Sequence, residues 1–157
     1  FDFINLAKQL DDKYQIVLVG TDDDVDTLLP ENILSIHRTQ NQVELAEIYS
    51  SADVFVNPTT AEVFGLVNVE ANACGIPVIT YQTGGSPECI DESSGVVVPK
   101  DDFEMLKSAI EHMRNQNIFK RENIINRAKL FDCKEKYNEY YVLTYCAFDI
   151  NSAAQRL

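Results

Sequence analysis

Residues 57–79 read NPTTAEVFGLVNVEANACGIPVI, and their pattern predicts the end of a strand, a loop, a helix and a second strand. The predicted strand 53–57 is followed by proline, which cannot continue the hydrogen bonding of a central strand. A helix is expected from near Gly65, with Gly75 as its C-terminal cap, and the run 77–81 forms the next strand. Two strands joined by a helix in this way predict a parallel pair with a right-handed crossover.

Strands and helices alternate outward from this segment in both directions. β-branched and apolar runs predict further strands at 15–20, 33–36 and 95–98. Helical apolar spacing and capping residues predict helices at 1–10, 41–51 and 101–115. The acidic stretch 21–30 is expected to be a loop, and the pair Gly84 and Gly85 a turn. This alternation predicts an α/β fold, a Rossmann-like doubly wound parallel sheet that binds ligands beyond the carboxyl ends of its strands.

Capping patterns indicate where two of these helices begin. Asn41 followed by Glu44, and Asp101 followed by Glu104, have the spacing of a capping box. Beyond residue 115 the chain has helical character and no strand signal. A C-terminal helix is expected at about 132–150, with aromatic side chains on a packing face. We therefore predict a single Rossmann-like domain across residues 1–157.

Composition and charge narrow the class of protein. Hydrophobic residues make up 45% and charged residues 24%, as in a soluble globular domain. The net charge of −12 weighs against nucleic acid as a partner and against adhesion to an anionic membrane. The apolar runs are too short for direct membrane insertion. The four cysteines lack metal-ligand or redox spacing and are expected to be free thiols in a reducing cytosol. Because the chain does not begin with methionine, a fragment is expected.

The helix beginning near Gly65 is a candidate anion site. The amides of Gly65, Leu66 and Val67 have no partner inside such a helix, and the helix dipole favours a negative charge in front of them. Glycine has no Cβ, so a phosphate can approach its backbone closely. A diphosphate suits this position.

Two carboxylates flank this candidate site. Glu70 lies about 7 Å along the helix axis, where it can accept hydrogen bonds from a ribose diol. Glu62 lies on the other side of the amides. If the diphosphate belongs to a sugar nucleotide, its sugar would lie there. Two carboxylates beside one anion are electrostatically unfavourable, which favours a functional explanation. The spacing alone leaves open that Glu62 caps the helix and that Glu70 is a solvated surface residue.

The run from Pro58 to Ile79 resembles the signature of the retaining glycosyltransferases defined by Glu-x7-Glu, family 4 in the usual classification. Their pattern, Pro-Ser/Thr-x-x-Glu-x-Phe-Gly-x4-Glu-Ala-x-Ala-x-Gly-x-Pro-Val-Ile, fits almost throughout. The run TGGSPE at 83–88 resembles the family's Gly-Gly-x-Pro-Glu loop, and 95–99 resembles the strand after it. The run 45–56 resembles the helix and strand that precede the signature, so the likeness covers most of the chain.

The resemblance implies the C-terminal, donor-binding half of a two-domain GT-B fold. It implies that Glu62 is the catalytic residue and hydrogen-bonds the transferred sugar, and that Glu70 holds the ribose. Gly84 and Gly85 would bring their loop close to the sugar or the phosphates.

The same resemblance implies which further residues bind the substrate. The diphosphate would be held by the amides of Gly65, Leu66 and Val67, and Phe64 is a further candidate substrate-binding residue. The family needs no metal, and transfer is expected to retain the anomeric configuration.

The chain departs from the family pattern in three places. Family members carry an Arg and a Lys that clamp the diphosphate just before the first helix of this domain, and here the chain begins at about that helix. The first strand, normally in the middle of the sheet, is expected to be missing with them. Arg38 is the nearest candidate cation, and a solvated arginine near the nucleobase edge is the alternative. Asn72, where the family usually has Met, is expected to affect packing and not chemistry.

The expected function is a retaining hexosyltransferase in polysaccharide or glycan biosynthesis, using a UDP- or GDP-sugar and no cofactor. A glycan or lipid-linked acceptor would be held by an N-terminal domain that this chain lacks, so the chain alone is expected to be inactive. The cytoplasm is the expected location, with the inner face of the membrane as one place within it. The alternatives are a non-catalytic nucleotide-sugar-binding module and a sugar-nucleotide epimerase of the same fold.

Overall fold

The computed structural model of the protein describes residues 2–116 and 118–134. The strands along these residues are β1 (Ile16–Val19), β2 (Ile33–Ile36), β3 (Phe55–Asn57), β4 (Val78–Tyr81) and β5 (Gly95–Val98). The helices are α1 (Asp2–Gln9), α2 (Asp23–Asp26), α3 (Gln42–Ser51), α4 (Leu66–Ala73), α5 (Phe103–Asn115) and α6 (Arg121–Lys129). A 3-10 helix, Ser86–Cys89, lies between β4 and β5.

The paired strands all run parallel, as the sequence predicts, and they form two sheets. One sheet pairs β1 with β2, and the other has the order β3-β4-β5. Residues of both β1 and β3 line one cleft of about 1460 Å³, and these two strands are not hydrogen-bonded to each other. The expected single sheet is thus divided between β1 and β3. The predicted α/β class with parallel sheets is confirmed.

Helix α4 begins and ends at glycines in the left-handed region. Gly65 precedes it with φ 84° and ψ 48°, and Gly75 follows it with φ 78°. The Gly75 amide donates to the Asn72 carbonyl at 2.9 Å, and the Ile76 amide donates to the Ala71 carbonyl at 3.0 Å. This pair of bonds is a Schellman motif, so the predicted C-terminal cap is confirmed. The chain turns from it directly into β4.

Two apolar clusters hold the helices on the sheet. The first joins α1 and α5 to β4 and β5, and its buried members are Leu6, Ile79, Tyr81, Val98, Leu106 and Ile110. The second consists of Ala71, Val78, Cys89 and Ile90, and Tyr49 and Phe64 pack against it. The second cluster therefore ties the loop before α4 to both the sheet and the 3-10 helix.

Two local predictions are wrong. Residues 23–26, inside the stretch predicted to be a loop, form α2, and the Asp22 carboxylate caps it by accepting a 2.9 Å hydrogen bond from the Val25 amide. A single helical turn is too short to show apolar periodicity. Helix α5 is capped by Asp102, which accepts from the Met105 amide at 3.0 Å, whereas Asp101 has φ 61° and lies outside the helix.

The cap predicted at Asn41 is confirmed, since its side chain accepts from the amides of Val43 and Glu44. The helix predicted at about 132–150 lies almost wholly outside the described residues and stays a prediction. Within the described ranges, no helix has the length and apolar character needed to cross a membrane.

Candidate functional site

The candidate site lies where the loop after β3 leads into α4. The amides of Phe64, Gly65, Leu66 and Val67 make no hydrogen bond within the described part of the chain, and the first bond of the helix runs from the Asn68 amide to the Gly65 carbonyl at 2.9 Å. Four consecutive free donors therefore stand at the positive end of a helix dipole. Such an arrangement binds anions through the backbone alone.

Glu62 lies beside these amides without capping them. It is half-buried, and its Oε1 atom accepts a 2.9 Å hydrogen bond from the amide of its neighbour Val63. No side chain caps α4, so the alternative that Glu62 is the helix cap is wrong. The Oε2 atom of Glu62 makes no hydrogen bond within the described residues and is available to a ligand hydroxyl.

Glu70 is exposed, and a hydrogen bond from α3 orients it. The Tyr49 hydroxyl donates to Glu70 Oε2 at 3.4 Å, and the Tyr49 ring packs edge-on against Phe55 with 5.3 Å between centroids. Burial, and then the nearby Glu70 carboxylate, raise the pKa of the Tyr49 hydroxyl, so this group stays protonated and donates. Glu70 is thus an exposed carboxylate with one long hydrogen bond, and its role in ribose binding stays a prediction.

The structure divides the candidate residues into two groups. Arg38, Val67 and Glu70 line the cleft between the two sheets. A second group lies outside the lining of this cleft and comprises Glu62, Phe64, Gly65, Leu66, Gly84 and Gly85. Arg38 is exposed and forms no ion pair within the described residues. The cleft exceeds the usual 300–1,000 Å³ or so of a small-molecule site, because its apolar floor extends to α1 and α5.

Gly84 and Gly85 are in contact with the loop that carries Glu62. A Cβ at Gly84, whose φ is 50°, would overlap the carbonyl oxygen of Glu62. A Cβ at Gly85 would lie 2.6 Å from the Val63 carbonyl oxygen, and the Gly85 amide donates to that oxygen at 3.1 Å. The contact between the loops accounts for glycine at both positions. Their approach to a ligand stays a prediction.

Residues that the sequence did not single out brace the same loop. The Cys89 thiol donates to the Phe64 carbonyl at 2.8 Å, and burial raises the pKa of this thiol to about 11. The Phe131 ring packs edge-on against Phe64 with 5.7 Å between centroids. Arg127 of α6 donates to the Glu88 carbonyl at 2.5 Å and so holds the 3-10 helix that carries Cys89. These contacts join distant parts of the chain, and no local pattern predicts them.

The expected chemistry of the cysteines and of metals is tested only in part. Cys74, Cys89 and Cys133 are free thiols, as predicted, and Cys146 lies outside the described residues. Over residues 2–116 and 118–134, no group of three or more His, Cys, Asp or Glu is placed to hold a metal ion. Asn72 is fully buried, and its amide nitrogen can donate to the carbonyls of Ile76 and Ser94, which agrees with a packing role.

Comparison with known proteins decides the family. Residues 2–131 match the family described as Glycosyl transferases group 1. The chain belongs to this family. A D-inositol 3-phosphate glycosyltransferase from Saccharomonospora viridis is 42% identical to this glycosyltransferase domain over 83 residues, which are 52% of this chain and 17% of that relative. The chain thus covers less than a fifth of the length of the curated relatives that it matches first.

Solved structures confirm the GT-B type of fold for this glycosyltransferase domain. A sucrose-phosphate synthase from Thermosynechococcus elongatus superimposes with a TM-score of 0.76 and 27% identity, covering 93% of this chain and 42% of that one. HepE from Anabaena, solved with UDP and with UDP-glucose, gives TM-scores of 0.72 and 0.69 at 19% and 20% identity, covering 93% of this chain and 44% of HepE. The family and the relatives that this chain matches are described as glycosyltransferases, and the HepE likenesses show the fold alone.

Proposed function

We propose that this glycosyltransferase domain binds a nucleotide-sugar donor across the N-terminus of α4, in a retaining hexosyltransferase of the Glu-x7-Glu family 4. The observation that carries the proposal is the run of four free amides at residues 64–67, which lies between the carboxylates of Glu62 and Glu70. Free amides suit a diphosphate, and carboxylates suit sugar hydroxyls. A nucleotide-sugar carries its diphosphate between two sugars, the transferred sugar and the ribose, which matches amides flanked by two carboxylates.

The two groups of residues suit the two ends of such a donor. Glu70 and Arg38 line the cleft between the sheets, where the ribose and the nucleobase would lie. Glu62 lies outside that lining and precedes the free amides in the chain, and it is proposed to contact the transferred sugar. HepE was solved with UDP and with UDP-glucose, so UDP is the first nucleotide to test here, with GDP as the second.

Charge limits what these residues accomplish by themselves. The sequence carries a net charge of −12, and two carboxylates near a diphosphate repel it. Stabilising the leaving diphosphate is the main electrostatic task of the reaction, and backbone dipoles supply part of it. We propose that the Arg and Lys implied by the resemblance, and an acceptor-binding domain for a glycan or lipid-linked acceptor, lie outside this chain. The isolated chain is then expected to bind the donor without transferring its sugar.

The reaction is proposed to need no metal and no cofactor, since the amides of α4 take the place that a cation would otherwise occupy beside the phosphates. The cytoplasm stays the expected location of the protein. Placement at the inner face of the membrane gains no support from the described residues.

Titration calorimetry in EDTA tests the proposed donor site with two ligands, UDP and inorganic diphosphate. Glu70→Ala is expected to weaken UDP binding about tenfold or more, because charged hydrogen bonds to the ribose are lost. The same change is expected to leave diphosphate affinity unchanged or increased, since a nearby negative charge is removed. Glu47→Ala on exposed α3 is the control for charge. Equal weakening of both ligands, or of neither, would contradict a ribose-binding role for Glu70.

Glu62 is tested by the complementary pair of ligands, UDP and UDP-glucose. Glu62→Ala is expected to weaken UDP-glucose binding while the affinity for UDP changes little, because this carboxylate is proposed to contact the transferred sugar and not the nucleotide. Loss of UDP affinity to the same extent would show that Glu62 shapes the loop and does not contact the sugar.

A further inference from the structure

Two buried polar atoms beside Gly65 have no hydrogen-bond partner. Asn68 Nδ2 and Ser86 Oγ both belong to fully buried side chains, and they are the unpaired buried side-chain atoms of the described residues. Each lies 2.9 Å from the point that a Cβ on Gly65 would occupy. Both atoms therefore converge on the α-carbon of the residue that begins the row of free amides. Buried donors without a partner are rare in folded proteins and destabilise them.

The surrounding polar side chains are all satisfied. Asn68 Oδ1 accepts from Asn57 Nδ2 at 2.9 Å, so that Asn68 Nδ2 is the amide atom left without a partner. The hydroxyl of Thr80 donates to the Asn57 carbonyl at 3.1 Å, and that of Thr83 donates to the Thr59 carbonyl at 2.8 Å. The polar interior behind the loop is thus well paired, and the two free groups mark one place in it.

The chemistry of the two free groups indicates what they lack. The Asn68 amide nitrogen and the Ser86 hydroxyl can both donate, and a main-chain carbonyl oxygen has two lone pairs that accept. Gly65 has φ 84°, and glycine moves between backbone regions more readily than other residues. A change at Gly65 is therefore able to bring a carbonyl of its turn onto both donors.

We propose that Asn68 and Ser86 are positioning residues for a ligand-bound form of the Gly65 turn. In this form a main-chain carbonyl of the turn accepts hydrogen bonds from Asn68 Nδ2 and Ser86 Oγ, and the amides of residues 64–67 close onto the diphosphate. The inference rests on the proposed function, which supplies a nucleoside diphosphate as the ligand. Without ligand the two donors stay unpaired, and ligand binding provides the main-chain carbonyl that accepts from both.

Ser86→Ala and Ser94→Ala form a matched pair for the test. Ser94 is also fully buried, but its hydroxyl accepts a 3.1 Å hydrogen bond from the Asp91 amide. Thermal melting of the ligand-free protein and calorimetric titration with UDP and GDP are measured for both variants. Ser86→Ala is expected to keep or raise Tm and to weaken UDP binding about five- to tenfold, whereas Ser94→Ala is expected to lower Tm and to leave the affinity unchanged.

The outcomes separate this inference from the proposed function. If the parent protein binds UDP or GDP and Ser86→Ala binds it equally well, the positioning role is wrong and the donor site stands. A lower Tm with unchanged affinity gives Ser86 an ordinary structural role and likewise overturns the inference. If the parent protein binds neither nucleotide, the proposed function and the inference both fail.

Discussion

The hydroxyl of Tyr49 donates a 3.4 Å hydrogen bond to Glu70 Oε2, and this contact joins α3 to α4 at the edge of the cleft. The Tyr49 ring is held in turn by its edge-on contact with Phe55 of β3. The carboxylate proposed to bind ribose is therefore oriented by a residue twenty-one positions earlier in the chain.

Tyr49→Phe is expected to weaken UDP binding about two- to fivefold. The bond is long, so its loss corresponds to the low end of about 0.5–1.5 kcal/mol for a hydrogen bond. The phenylalanine ring keeps the packing against Phe55, so Tm should change little. Calorimetric titration with UDP measures the effect, and inorganic diphosphate is the control ligand. An equal loss of affinity for diphosphate would mean that Tyr49 acts on the whole helix and not on Glu70.

Gly84→Ala is expected to lower Tm and to abolish measurable UDP-glucose binding. The new Cβ would overlap the Glu62 carbonyl oxygen, which forces the two loops apart. Gly20→Ala is the matched control, because Gly20 also has a positive φ of 90° but no atom within 4 Å of the added Cβ. Gly20→Ala is expected to lower the free energy of unfolding only by its backbone strain, about 1–2 kcal/mol. Similar decreases in Tm for the two variants would contradict tight packing between the loops.

The sequence was sufficient for those features that depend on local pattern. β-branched runs locate β1 to β5, and the glycine after α4 predicts its Schellman cap. The local pattern did not predict α2, because a single turn capped by Asp22 shows no apolar periodicity. It also predicted Asp101 as the cap of α5, whereas the structure has Asp102 there.

The candidate site was predicted as a set of residues but not as an arrangement. The resemblance of residues 58–79 to the family signature identified both carboxylates. It does not show that Gly84 packs on the Glu62 backbone, that Cys89 supports Phe64, or that Asn68 Nδ2 lies beside Gly65 without a partner. Each of these contacts joins segments that the chain separates by a strand or a loop, so it depends on tertiary packing alone.

The stability of the protein should depend on pH through His37 and Asp26, whose side chains lie 2.7 Å apart after β2 and on α2. The hydrogen bond to Asp26 raises the pKa of His37 above its usual 6.5. Hydrogen bonds from Ser35 and then His37 lower the pKa of Asp26 below its usual 3.8. The charged pair therefore stabilises the fold at pH values between the lowered pKa of Asp26 and the raised pKa of His37. The stabilisation is lost as pH rises through the raised pKa of His37 or falls through the lowered pKa of Asp26.

Asp26→Asn tests this pH dependence by thermal melting at several pH values from about 5 to about 9. The difference in Tm between the parent protein and the variant is expected to be largest near pH 5–6 and to shrink toward pH 9, as His37 loses its proton in the parent. Asp24→Asn on exposed α2 controls for the change in charge. A difference that stays constant with pH would show that the pair does not titrate as described.

Cys89 should resist alkylation while the protein is folded. Its thiol is buried, donates to the Phe64 carbonyl and has a pKa raised to about 11, whereas Cys133 is exposed. Iodoacetamide at about pH 8 should modify Cys133 at least about tenfold faster, because only accessible thiolate reacts. Peptide mapping after timed quenching measures both rates, and the two should become similar in denaturant. Rapid modification of Cys89 in the folded protein would contradict its role behind the loop.

The most direct test of the donor site is to follow the amides before and along the first turn of α4 by NMR during titration with UDP in EDTA. The amide signals of Gly65, Leu66 and Val67 are expected to shift together and saturate with one binding constant, as their free N–H groups bind the diphosphate. If UDP and GDP both leave these three signals unmoved, or if UDP binds while only other signals shift, the N-terminus of α4 is not the donor site.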